Sequence, residues 1–150
     1  MGLEDLGAYL HRHKRIALDT SVFIYHLEAN PKYLAFTDRI FSWVERPGSS
    51  AVTSAITMTE LLVQPYRARD EGRVDQFYGL LSTYPNLEWI PPDIEIADRA
   101  ARIRALHHLR TPDALQAATA VHAQATGLIT NDPAFKRVEH IDTLILDRLL

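Results

Sequence analysis

The chain has 150 residues, 47% of them hydrophobic and 23% charged, which is enough to close one core and too little for two comfortable domains. It contains no cysteine, which excludes disulfides, thiolate zinc sites and a cysteine nucleophile and suits a reducing cytoplasm. Its net charge of −3 repels phosphate on average, so any contact with nucleic acid has to come from a local basic patch or from metal ions.

Residues 1–15, MGLEDLGAYLHRHKR, carry acids at Glu4 and Asp5 and no apolar run. They do not resemble a secretory signal, and Leu6 breaks the myristoylation pattern. No stretch is long and apolar enough to span a membrane, so a cytoplasmic protein is expected. Residues 16–18 are short and apolar and lead into Asp19-Thr20, the pattern of a buried strand running into a helix cap. Residues 21–29 predict a helix with apolar side chains in every direction. Asn30-Pro31 offers a cap and first-turn proline for a second helix to about Arg46, ended by Pro47-Gly48.

Residues 51–53 read as a second strand, 55–64 as a helix stopped by Pro65, and 70–84 as the next helix. Residues 87–90, set between Pro85-Asn86 and Pro91-Pro92, mark a third strand, and Asp93 opens a long helix ending near Leu109. Thr111-Pro112 introduces an alanine-rich helix over 113–125, which Gly127 stops before a strand at 128–130. Residues 143–146 offer a last strand. This alternation implies an α/β fold, a three-layer α/β/α sandwich around a mostly parallel sheet. Residues 1–150 are expected to form one domain.

Ligands of open α/β sheets gather beyond the carboxyl ends of the strands, where Asp19 and Asp132 both fall. Either could simply cap a helix, and Asp113 could simply complement the dipole of a helix first turn. Glu60 has Ile56, Thr57, Val63 and Gln64 as its helical neighbours, a largely uncharged face. Carboxylates brought together by folding repel one another, so a site that keeps several ionised calls for a cation. Oxygen ligands without cysteine or a spaced histidine pair select Mg²⁺ or Mn²⁺ over Zn²⁺. The pairs His11 and His13, and His107 and His108, lack zinc spacing and read as surface residues.

With these residues in view, IALDTSVFIYHLE, AITMTELL and RTPDALQAATAVHAQATGLITND resemble the PIN-domain ribonucleases, and more narrowly VapC-type toxins of toxin-antitoxin pairs. The likeness runs from Ile16 to about Leu146 and leaves residues 1–15 as an N-terminal extension, an added helix of unassigned purpose. It implies metal binding at Asp19 and Asp113, with Glu60 and Asp132 completing a catalytic acidic cluster. Thr20, Ser21, Thr130 and Asn131 would support it, Thr130 by orienting the last acid, while Ser21 stands where asparagine is common in the family. The implied reaction is Mg²⁺-dependent hydrolysis of RNA by metal-activated water, leaving a 5′-phosphate and a 3′-hydroxyl.

Arg99, Arg102, Arg104 and Arg110 could cradle an RNA backbone or balance Asp93, Glu95 and Asp98 on a solvated face. A dinucleotide enzyme is excluded by the absence of glycine in DTSVFIY, and an aspartyl phosphatase lacks its second acid at Ser21. The alternative from another class is a non-catalytic RNA-binding or assembly protein on the same scaffold. On the helix over 31–46, Tyr33, Leu34, Phe36, Ile40, Phe41, Trp43 and Val44 cover an arc of about 180°, wider than one core contact requires. The excess is expected to be buried against neighbouring helices, in a homodimer, or under an antitoxin segment lying over the first two helices after the first strand.

Overall fold

Strands and helices alternate along residues 2–150, the part of the chain that the computed structural model describes. Helix α1 (Gly2–Arg12) precedes strand β1 (Arg15–Leu18), followed by α2 (Thr20–Leu27), α3 (Leu34–Val44) and β2 (Ser50–Ser54). Then come α4 (Ile56–Arg67), α5 (Glu71–Ser82), β3 (Leu87–Ile90), α6 (Ile94–His107) and α7 (Thr111–His122). Strands β4 (Gly127–Thr130) and β5 (Asp142–Ile145) close the chain, with 3-10 turns at Pro133–Arg137 and Leu146–Leu149.

All strand pairs are parallel, in the order β3-β2-β1-β4-β5. The chain therefore builds outward from β1 in one direction and returns to build outward in the other, which makes the carboxyl end of β1 the switch point of the sheet. Alternate side chains of β1 serve two cores. Ile16 and Leu18 pack with Leu6, Phe23, Ile40 and Phe41 on one face. Ala17 meets Ala114, Ala117 and Ala118 of α7 on the other, where small side chains let the helix lie close to the sheet. This is the expected three-layer architecture.

In local detail the structure departs from or adds to the expectations. The expected N-terminal extension is a helix, and it belongs to the same core, with Leu6, Tyr9 and Leu10 0%, 1% and 3% exposed. The Tyr9 hydroxyl donates to the carbonyl of Asp142 at 2.7 Å, tying α1 to the far edge of the sheet. Because α1 lies over α3, the wide apolar arc of α3 has no surplus: Tyr33, Phe36, Ile40, Phe41, Trp43 and Val44 are all buried and Leu34 is half-buried. Pro65 does not stop α4, which runs on to Arg67. In the final turn the missing N–H forfeits one bond, and Ala68 still donates to Gln64 at 2.9 Å.

Asn30 does cap as expected, its side chain accepting from the Lys32 N–H at 3.0 Å. Residues 31–33, however, form a turn, and the regular helix begins at Leu34. His13 is also no surface residue: its side chain is 8% exposed and sits between Thr126 at 2.8 Å and Asp142 at 2.7 Å. Burial alone would raise the Asp142 carboxyl, but hydrogen bonds from His13 and Arg12 outweigh it and hold the group below its usual range.

A buried leucine that docks one helix predicts the cost of losing it. Leu6→Ala should destabilise the protein by about 2–5 kcal/mol in urea unfolding. Gly127→Ala should cost about 1–3 kcal/mol, because its Cβ would collide with the Tyr9 hydroxyl. A negligible loss in both would mean that α1 is dispensable.

Candidate functional site

Asp19 is the first residue beyond β1, and its N–H still donates to Ile129 of β4 at 3.0 Å, which fixes it at the switch point. Its carboxylate is held from two sides. Oδ1 accepts from the Thr20 N–H at 2.8 Å and Oδ2 from the Thr130 hydroxyl at 2.7 Å. Asp19 thus caps α2, so the capping and the site readings of this residue are compatible. Asp113 enters from the first turn of α7 and accepts from Arg110 Nε at 3.1 Å. Glu60, one turn into α4, accepts from the Thr20 hydroxyl at 2.7 Å. Asp132 caps the 3-10 turn by accepting from the Ala134 N–H at 2.9 Å.

Asp19, Glu60, Asp113 and Asp132 line one cleft of about 290 Å³, together with Thr20, Ser21, Ile24, Tyr25, Arg110 and Asn131. Burial, reinforced by the charges of Asp113 and Glu60, pushes the Asp19 carboxyl up to about 6 despite its two hydrogen bonds. Burial also raises Asp113, with Arg110 opposing and Asp132 adding to the shift. The mutual repulsion expected of gathered carboxylates is therefore present. Ser21 Oγ, in the wall of the cleft, is buried and has no hydrogen-bond partner among the described residues. Among those residues no three His, Cys, Asp or Glu side chains are already arranged to hold a metal ion. Each carboxylate is turned onto its own partner, as the bonds above specify.

The supporting residues differ in what they do. Thr130 orients the first acid rather than the last: its hydroxyl donates to Asp19 and accepts only the backbone N–H of Asp132, at 3.1 Å. Asn131 is a brace, donating to Tyr25 and Tyr33 hydroxyls at 3.0 and 3.1 Å and accepting from the Asp147 N–H at 2.8 Å. Of the four arginines, only Arg110 lines the cleft. Arg104 is spent on Leu109 and Thr111, and Arg102 pairs with Asp98 along α6; nothing brings Arg99 to the acids.

Sequence reasoning missed Tyr25, whose apolar-looking helix hides a side chain in the cleft, and Gln116, 4% exposed beneath it. Gln116 belongs to a proton ladder whose directions can be deduced. Thr53 gives its one hydroxyl proton to the Leu18 carbonyl at 2.8 Å, so at the 2.8 Å Thr53–Thr57 contact Thr57 must be the donor. Thr20 gives its proton to Glu60. Thr57 and Thr20 are then both left as acceptors, so no proton lies in their own 3.2 Å contact, and Gln116 Nε2 supplies one N–H to each, at 2.6 and 3.3 Å. The Ser54 N–H, 3.3 Å from Gln116 Oε1, fixes the orientation of the amide. The ladder ends on Glu60.

Four comparisons place this geometry among known proteins. The family model described as PIN domain matches residues 16–141. The chain is similar to one in the crystal structure of VapBC2 from Rickettsia felis bound to a promoter DNA fragment, with 17% identity, a TM-score of 0.66, and 87% of this chain and 98% of that one covered. It is similar to one in VapBC-1 from nontypeable Haemophilus influenzae, with 22% identity, a TM-score of 0.68, and 89% and 98% covered. A toxin-antitoxin complex from Klebsiella pneumoniae holds another, with 20% identity, a TM-score of 0.64, and 87% and 97% covered. At these identities the likeness is one of fold. No curated protein matches the sequence.

The ladder predicts that donors are required at position 116. Gln116→Glu keeps the shape and replaces two donors by acceptors, so it should cost at least about 1–3 kcal/mol in urea unfolding. Stability equal to the unsubstituted protein would refute the proton assignment.

Proposed function

Because the chain belongs to the PIN domain family, we propose that it is a metal-dependent endoribonuclease and the toxin of a VapBC-type toxin-antitoxin pair. The observation that carries the reading is the gathering of Asp19, Glu60, Asp113 and Asp132 around one cleft at the switch point of the sheet. The donor set fits a hard divalent ion: all oxygen, partly desolvated, and mutually repelling, with the orphan Ser21 hydroxyl beside it. Asp19 and Asp113 are the residues to hold Mg²⁺, or Mn²⁺ in its place, with Glu60 and Asp132 completing the set. Bound there, the ion would supply a water of lowered pKa and neutralise charge on a phosphate.

The chain's own residues prepare the cleft. Thr130 and the Thr20 N–H hold the Asp19 carboxylate in one orientation, and the Gln116 ladder, through Thr20, holds Glu60 toward it. Arg110 is 79% exposed at the side chain, so its charge stands at the mouth of the cleft, where an RNA phosphate would arrive. By its bond to Asp113 it also offsets one carboxylate in the absence of an ion.

The toxin assignment draws support from the structural neighbours, one of them a toxin-antitoxin complex. Since α3 is covered by α1, the antitoxin surface moves from the expected position. A groove beside the acids has an apolar floor of Ile24 and Leu27 from α2, Leu61 and Pro65 from α4 and Phe77 from α5, carries Glu28, Gln64 and Arg73 among them, and shares Ile24 and Glu60 with the acidic cleft. An apolar antitoxin segment seated there would reach the acids. Trp43, 6% exposed and absent from the lining of this groove, is no longer the residue to test; Leu27 is.

Mg²⁺ or Mn²⁺ should raise the melting temperature relative to EDTA and support cleavage of RNA to 5′-phosphate products. Asp19→Asn with Asp113→Asn should abolish both while the protein stays folded by circular dichroism. Cleavage that persists in this double variant, or is indifferent to EDTA, sinks the nuclease reading; folded protein that binds RNA without cutting it would favour the non-catalytic alternative.

The antitoxin surface is tested separately. Leu27→Glu should weaken capture by the protein encoded beside this gene while RNA cleavage is retained, and unchanged capture would move the partner elsewhere.

A further inference from the structure

At the amino ends of the strands, on the opposite edge of the sheet from the acids, lies a second cavity of about 380 Å³. Its walls come from the end of α1, the outer face of α3 and the turn at 46–49. Lys14, Arg39 and Arg46 bring three full positive charges, His11 and His13 stand among them, and no carboxylate is found in the lining. The side chains of Lys14, Arg39 and Arg46 make no hydrogen bond or ion pair among the described residues. In a chain of net charge −3, three uncompensated cations around one hollow are a local reversal of the average field.

The plainer explanation is that these cations complement the C-terminal ends of α1 and α3. Each helix end carries only about half a negative charge, which leaves most of the positive charge unanswered. The placement of Arg39 is also built. The Arg39 guanidinium lies against the bare backbone of Gly7 in the middle of α1, its Nη2 3.0 Å from where a Cβ would stand. Gly48, with φ +89° and open space around the position of a Cβ, keeps the other rim clear. Pro47 is exposed beside the charges, and the edges of the buried Leu10 and Trp43 lie behind it.

We propose that this pocket binds a phosphate group carried on a nucleotide, the arginines and lysine taking the phosphate and the exposed face of Pro47, backed by the edges of Leu10 and Trp43, meeting the nucleoside. Its volume is that of an ordinary small-ligand site, about 300–1,000 Å³. The phosphate has two sources, a free nucleotide or an RNA chain. The site is independent of the acidic cleft, so it stands whether or not the nuclease reading does.

The test is calorimetric titration of the full chain in EDTA at low salt with inorganic phosphate, AMP and a short oligoribonucleotide. AMP or the oligonucleotide should bind more tightly than phosphate, and Arg39→Ala with Arg46→Ala should weaken that binding by roughly tenfold or more. Arg67→Ala with Arg148→Ala makes the same change of net charge away from the pocket and should have little effect. AMP binding as well as the oligonucleotide identifies a free nucleotide, and a much tighter oligonucleotide identifies RNA; both support the site. Absence of binding by any probe, equal weakening in the two double variants, or no gain from the nucleoside over phosphate overturns it.

Discussion

The acidic cleft depends on one electrostatic constraint: carboxylates from β1, α4, α7 and the loop after β4 must be held within one small space where they disfavour one another. A parallel sheet with its switch point at β1 delivers Asp19 and Asp132 to neighbouring strand ends, but delivery does not overcome the repulsion. The protein meets it with donors. Thr130 and the Thr20 N–H hold Asp19, Arg110 holds Asp113, and the Thr20 hydroxyl holds Glu60. What remains shows as the raised Asp19 carboxyl, at about 6. The cleft is thus a set of acids each restrained by a different group.

That restraint reaches into the core through Gln116. A threonine hydroxyl has one proton, and three threonines in sequence exhaust theirs on Leu18, Thr53 and Glu60. Two acceptors then remain, and an amide is the neutral side chain that can serve both while accepting a backbone N–H. A buried amide in an alanine-rich helix is costly unless every bond is made. Here each is, and the result couples the first turn of α2, the first turn of α4 and the body of α7 into one unit behind the acids.

The sequence made the architecture readable because strand-sized apolar runs alternated with capped helices, and made the acids readable because a strand-end Asp and a carboxylate on an uncharged helix face are local patterns. Gln116 carries no such local signal. Its role exists only where α7 crosses β2 and α4, and a lone amide among alanines looks like an ordinary helical residue. The packing of helix α1 is a different case, since Leu6, Tyr9 and Leu10 have the three- and four-residue spacing of an amphipathic face. The wide arc on α3 was the complementary half of that signal: read alone it suggested a vacant interface, and read with α1 it is a buried one.

The same topology explains why acids and bases sort to opposite edges of the sheet. In a parallel α/β fold every helix that follows a strand begins near the carboxyl ends, and every helix that precedes a strand ends near the amino ends. The N-termini of α2 and α7 therefore face the acidic cleft, with Asp19 capping the one and Asp113 in the first turn of the other. The C-termini of α1 and α3 face the basic pocket, with Arg12 and His11 in the last turn of α1 and Arg46 just beyond α3. Helix dipoles favour each charge where it is found. The dipoles permit this separation without requiring it, because they supply only partial charges and both clusters exceed what they can balance. The excess at the acidic edge is a demand for cations, and the excess at the basic edge a demand for anions.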